Sequence, residues 1–163
     1  MIHTGIKQKM DHFVTMEFGC EPDYNAWTKK INPRPHRANH KLRSAGGHVH
    51  VGIKGIDKHQ LIRAMDLFLG VPSVSMDTDT RRRELYGKAG AFRPKPYGAE
   101  YRTLSNFWIW DKRLIEWVYE KTEQAINFVK AGNKLGKEDG VIIQKCINTG
   151  DITLAKDIEV HYG

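Results

Sequence analysis

The run Gly46-Gly47-His48-Val49-His50-Val51-Gly52 sets two imidazoles two positions apart between glycines. On a strand, that spacing points both rings to one face, where they can contact one ligand or metal ion together, and the glycines admit a bulky anion close to the backbone. Taken alone, such a pair is more often two ordinary histidines on a sheet surface. A second pattern lies in RRRELYGKAGAFRPKPYGAEYR, residues 81–102, where Gly87, Gly90 and Gly98 are interspersed with Arg83, Lys88, Arg93 and Arg102. Glu100 stands two residues before Arg102, so a strand presents carboxylate and guanidinium side by side. Such a pair suits a site in which Glu100 holds a divalent cation and Arg102 takes a carboxylate or phosphate. An ordinary salt bridge is the alternative reading. The sequence contains no P-loop, no dinucleotide-binding GxGxxG, no GxSxG elbow and no HExxH zinc motif.

The elements that must carry these side chains are legible as periodicities. Alternation over residues 46–53 predicts a strand bearing His48 and His50. Residues 100–109 alternate as a second strand, with Glu100, Arg102, Leu104, Asn106 and Trp108 on one side and Tyr101, Thr103, Ser105 and Phe107 on the other. Asp57 is placed to cap a helix over residues 58–69 that turns Leu61, Ile62, Met65 and Leu69 inward, with Gly70 and Pro72 as its stop. Asp111 is placed to cap a long helix over residues 112–130 with a stripe of Ile115, Tyr119, Thr122, Ile126 and Val129. One or two short helices containing Val141, Ile142, Ile147, Leu154 and Ile158 follow. Residues 71–99 show no clean period and read as a long functional loop around a short strand or helix. Residues 31–44 read as a surface loop, and residues 1–30 as a strand near His12 to Phe18 with a turn at Gly19, Pro22 and Asp23.

A chain of 163 residues with 40% hydrophobic and 28% charged residues is expected to form one globular domain over residues 1–163. No apolar run approaches the roughly 20 residues that cross a bilayer, so the expectation is a soluble, cytoplasmic chain without a membrane partner. Cys20 and Cys146 belong to no CxxC pair and read as free thiols. The formal charge is +7, and its placement is uneven. Residues 29–43 hold six cations and no acid, and residues 81–102 hold seven cations against Glu84 and Glu100. Two solvated basic loops would explain that; so would a phosphate-handling pocket or a nucleic-acid face.

The segments GCEPDYNAW (19–27), LRSAGGHVHVG (42–52) and RRRELYGKAGAFRPKPYGAEYRTLSNFW (81–108) together resemble the phage-type carboxylate-amine ligases, amidoligases related to glutamine synthetase and glutamate-cysteine ligase. The resemblance implies an α+β fold, with a mostly antiparallel glutamine-synthetase-like sheet, helices packed on one face and a helical C-terminus. It implies a reaction that joins a carboxylate to an amine through an acyl phosphate, with ATP and Mg2+ (or Mn2+) as cofactors. Position by position, it makes His48 and Glu100 ligands of one metal ion and puts His50 near the nucleotide. It gives Arg102 the substrate carboxylate or transferred phosphate, and sets Arg93, Lys88 and Arg83 on the ATP phosphates. Members of that family normally carry a further N-terminal portion whose acidic strands supply metal-binding carboxylates. The nearby acids here are Glu17, Glu21 and Asp23. The resemblance therefore implies either a partner chain that supplies acidic strands or a chain that turns over ATP poorly alone. The alternative is a non-catalytic scaffold binding nucleotide, nucleic acid or a phage or host protein through its basic pocket, in the host cytoplasm if phage-encoded.

Overall fold

A computed structural model describes residues 23–32, 45–79, 82–83 and 86–162. The expected strand near His12 to Phe18, the turn at Gly19 and Pro22, Cys20, and most of the proline-containing basic loop lie outside the described residues. The fold is α+β. Strands β1 (Tyr24–Asn25), β2 (Val49–Gly52), β3 (Ala91–Lys95) and β4 (Gly98–Tyr101) form an antiparallel sheet in the order β1-β3-β4-β2. The helices are α1 (Lys58–Met65), α2 (Val71–Met76), α3 (Lys112–Lys130), α4 (Lys137–Thr149) and α5 (Ile152–Tyr162). No helix among the described residues is long and apolar enough to cross a membrane.

Alternation divides the sheet into two chemically different faces. Val51, Ala99, Tyr101 and Phe92 turn to the helices and pack with Leu61, Ile62 and Met65 of α1 and with Val118 and Ala125 of α3. A second core gathers Leu67, Val71 and Val74 with Ile143, Cys146, Ile147, Ala155 and Ile158 from the two C-terminal helices. Burial pushes the Cys146 thiol up to about 11, so it is protonated and acts as a small apolar residue there.

Asp57 caps α1 as expected, accepting from His59 N at 2.8 Å and Gln60 N at 3.4 Å. The helix does not stop at Gly70 and Pro72. It widens into a π-helical turn, Asp66–Gly70, in which Val71 N–H reaches the Asp66 carbonyl, and continues as α2 with Pro72 in its first turn. Proline there lacks only an N–H that a first turn leaves unbonded. Gly70 serves close packing instead: a Cβ at this position would lie 2.8 Å from the Tyr101 hydroxyl and 2.7 Å from Ile147 Cδ1.

Further expectations are refined. Residues 71–99, read as a long loop around a short strand or helix, carry both: α2, β3 and the start of β4. The strand expected over 100–109 ends at Tyr101; beyond it the backbone keeps a bond from Gly47 N–H to Leu104 O and an isolated bridge between Gly46 and Ser105, and a side chain takes the carbonyls of residues 102–104. Arg82 donates to Thr103 O at 2.8 Å, Leu104 O at 2.8 Å and Arg102 O at 3.4 Å. Helix α3 begins at its Asp111 cap, but Ile115 and Tyr119 are exposed at 45% and 71%; Val118 and Ala125 take the buried positions, with Ile126 and Val129 packed beside them. Val141 and Ile142 are likewise exposed.

One carboxylate ties these layers together. Asp66 is fully buried, and accepts from Trp27 Nε1 at 2.6 Å and from the Tyr101 hydroxyl at 2.9 Å, with the Thr103 hydroxyl at 3.2 Å. Burial raises its pKa from 3.8 to about 7, against the pull of those donors and of Gly90 N–H. A raised carboxylate pKa means that the native state binds the proton more tightly than the unfolded chain, so this group stabilises the fold less as pH rises from about 4 to about 7. The stability of the wild type minus that of Asp66→Asn, from urea unfolding across this range, is expected to decline by up to roughly 1.4 kcal/mol per pH unit. A flat difference would show that Asp66 has the same pKa folded and unfolded.

Candidate functional site

The sheet face turned away from the helices carries the charges. Register places His50, Glu100 and Arg93 in one row across β2, β4 and β3, and Gly52, Gly98 and Lys95 in the next row on the same face. Antiparallel neighbours in such a row hold their Cβ atoms about 5 Å apart. Beyond the first row, Arg102 and His48 extend the same alternation. The glycine row leaves a strip of this face without side chains beside Lys95, and nothing lies within 4 Å of where a Gly52 Cβ would be.

Glu100 is the centre of the cluster, with its side chain 5% exposed. Its Oε2 takes Lys95 Nζ at 3.0 Å, and its Oε1 takes Arg102 Nη1. Burial pushes this carboxyl up, but the hydrogen bonds from Lys95 and Arg102 and the Arg102 charge outweigh it and hold the pKa at about 2. His48 Nδ1 stands 3.1 Å from Glu100 Oε1 and 3.0 Å from Arg102 Nη1. Desolvation, then the Arg102 charge, lower its pKa to about 4, so the imidazole is neutral at neutral pH. A guanidinium can only donate and an ionised carboxylate can only accept, so Nδ1 accepts from Arg102 in one tautomer and donates toward Glu100 in the other. The ring reaches this position by folding over Gly46, where a Cβ would lie 2.3 Å from His48 Nε2.

Asp23, just before β1, closes the other side. Its Oδ1 is 2.8 Å from Arg102 Nε and 3.2 Å from Arg93 Nε. Desolvation raises its pKa while both arginines pull it down. With His48 neutral, the cluster sets Arg93, Lys95 and Arg102 against Asp23 and Glu100, an excess of one positive charge when both carboxyls are ionised. The ordinary salt bridge between Glu100 and Arg102 is therefore present, embedded in a larger network.

The structure thus brings together four of the sequence-derived residues, His48, Arg93, Glu100 and Arg102. His50 shares their face but is exposed and pairs with Tyr97, its Nδ1 2.7 Å from the phenolic oxygen. Lys88 is exposed, and its carbonyl receives Ala91 N–H. Arg83 is buried elsewhere, 3.9 Å from Asp77. Lys95 and Asp23 are additions. The signal for Lys95 was its two-residue spacing from Arg93 around Pro94, which sits where β3 has no β1 neighbour, since β1 pairs only with Ala91 and Phe92.

For a resident divalent ion, the donors in the cluster are engaged. Both Glu100 oxygens and His48 Nδ1 meet cationic groups, and no cluster of three or more metal-ligating His, Cys, Asp or Glu occurs among the described residues. Mg2+ is ordinarily held by one or two carboxylates together with waters and substrate phosphates, so a metal ion held by Glu100 would have to displace Lys95 or Arg102. The arrangement is suited to holding an anion between guanidinium and ammonium groups.

Residues 37–127 match the family described as phage phiEco32-like COOH.NH2 ligase-type 2, a span of more than half the chain that includes His48, His50, Arg93, Glu100 and Arg102. No curated protein and no solved structure matches the chain.

The network makes a pH-resolved prediction. Glu100 has a depressed pKa, so its stabilising contribution is complete above its ordinary value of 4.5 and is lost as pH falls toward about 2. Glu100→Gln is expected to lower stability by roughly 3–5 kcal/mol at pH 7, and the gap to wild type should close as the solution is acidified. A gap independent of pH in denaturant titrations would assign the loss to packing.

Proposed function

From the premise that the chain belongs to the phage phiEco32-like COOH-NH2 ligase-type 2 family, we propose that this sheet face is where a carboxylate is activated by ATP and transferred to an amine. The observation that carries the reading is the gathering of buried Arg102 with half-buried Arg93 and Lys95 about the buried Glu100. In the proposed reaction, a carboxylate oxygen of the substrate attacks the γ-phosphorus of ATP. The bond from that phosphorus to the ADP oxygen breaks, and an acyl phosphate forms. The amine then attacks the acyl carbon, inorganic phosphate leaves, and a proton passes from nitrogen to solvent.

The chain's own side chains fit the electrostatic demand of the first step. A carboxylate and a triphosphate repel one another, so a site that brings them together needs fixed positive charge already oriented before they arrive. Arg102 and Arg93 take the carboxylate and the transferred phosphoryl group, and Lys95 adds charge from the neighbouring row. Glu100 holds Lys95 and Arg102 in place. Neutral His48 meets Arg102 and Glu100 without adding charge. Magnesium enters this reading as part of the MgATP substrate.

The test is formation of ADP and of a hydroxamate when the chain is incubated with MgATP, hydroxylamine and a panel of carboxylic acids. Product is expected to require the acid, and Arg102→Gln is expected to reduce kcat by about 10^2-fold or more. ATP cleavage indifferent to added acid, or unaffected by Arg102→Gln, would refute the proposal. Nucleotide binding without any turnover would favour the non-catalytic scaffold.

A further inference from the structure

The two arginines assigned to the anionic substrate already face a carboxylate, and it belongs to the protein. Asp23 Oδ1 lies 2.8 Å from Arg102 Nε and 3.2 Å from Arg93 Nε. The side chain is 13% exposed, and the two guanidiniums are 6% and 16% exposed, so water screens the contact little. Charge draws Oδ1 between the two guanidiniums, and Arg93 adds a hydrogen bond to it. Glu100 meets Lys95 and Arg102 in the same way. The two carboxylates of the cluster differ in what carries them. Glu100 is on β4, an inner strand of the sheet, and Asp23 stands one residue before the edge strand β1, of only two residues, Tyr24–Asn25.

We propose that Asp23 is a stand-in for the substrate carboxylate, occupying the space between Arg93 and Arg102 and yielding it when a carboxylate or phosphoryl group binds. The inference rests on the proposed function only in taking Arg93 and Arg102 as the anion seat. Two guanidiniums side by side repel, and a tethered carboxylate between them keeps the pair close until an anion replaces it. The arrangement also sets affinity. An external anion has to compete with one held permanently at short range, so its apparent dissociation constant is multiplied by the reciprocal of the fraction of molecules in which Asp23 has moved aside. Asp23 is thus an affinity-setting residue, and weak binding of small anions by the wild type is its consequence. A substrate with additional contacts along the glycine strip beside Lys95 is better able to displace it than a bare anion is.

The experiment is calorimetric titration of inorganic phosphate, and separately of acetate, into wild type, Asp23→Asn and the double variant Asp23→Asn/Arg102→Gln at constant ionic strength. Asparagine preserves the size of the side chain and removes its charge. If Asp23 leaves the seat open in a tenth of the molecules or fewer, Asp23→Asn binds both anions about tenfold tighter or more, and the double variant loses the gain. Equal or weaker binding by folded Asp23→Asn, with binding still dependent on Arg102, overturns the role of Asp23 and leaves the anion seat standing. Absence of binding in wild type and Asp23→Asn alike overturns the seat itself and the inference with it. Should Asp23→Asn not fold, hydrogen exchange on the wild type decides. Saturating phosphate is expected to speed amide exchange in residues 23–32, whose tie to the arginines is released, and unchanged or slower exchange there overturns the inference.

Discussion

The buried carboxylate of Asp66 is the contact on which the geometry of the charged face depends. Tyr101 and Thr103 both turn inward to it, and strand alternation then requires Glu100 and Arg102 to turn outward. Trp27 brings the segment after β1 to the same carboxylate, which fixes the side from which Asp23 approaches Arg102. Arg82 extends the arrangement one step further by bonding to the carbonyls of residues 102–104 as the chain leaves the sheet. A polar centre this deep is costly unless every partner donates to it. Here indole, phenol, hydroxyl and backbone N–H all do.

Local patterns in the sequence predicted local structure well. The strand of His50, shortened to Val49–Gly52 so that His48 stands just before it, the Asp57 and Asp111 caps, and the outward pairing of Glu100 with Arg102 all rest on interactions within a few residues of one another, and all are present. The failures have a common physical origin in long-range partners. Gly70 and Pro72 look like a stop because their usual effect is local; the packing of Tyr101 and Ile147 against Gly70 could not be read from their neighbours. The alternation persists through Arg102 and Thr103 but not to Leu104, which joins the core, and the carbonyls there are taken by Arg82, some twenty residues away. Ile115 and Tyr119 fit a helical stripe, yet that stripe is rotated from the face that α3 buries. Lys95 and Asp23 were recognisable as charged residues, but only the pairing of β3 with β4, and the position of Asp23 before β1, bring them to Glu100.

The charge balance of the cluster reconciles family membership with the spare donor set for a metal. A site that must collect a carboxylate and phosphate groups can draw its positive charge from protein cations or from ions carried by the nucleotide, and the described residues contribute the first kind. Its two carboxylates keep three cations together at a net excess of one charge. Removing either would strengthen the positive field while loosening the groups that create it, so field strength and preorganisation oppose one another at this face.

The π-helical turn between α1 and α2 acts as a phase shifter. One residue advances an α-helix by about 100°, so the extra residue in a widened turn swings every later side chain round the helix axis by an angle of that order. Leu61, Ile62 and Met65 face the sheet core before the turn, and Val71 and Val74 face the C-terminal helices after it. A single rod thereby serves two cores at different azimuths. Substitutions leave this offset intact, whereas deletion of one residue between Asp66 and Gly70 would turn one core's side chains toward the other's space. The indel, more than the point mutation, is the event this fold is least able to absorb.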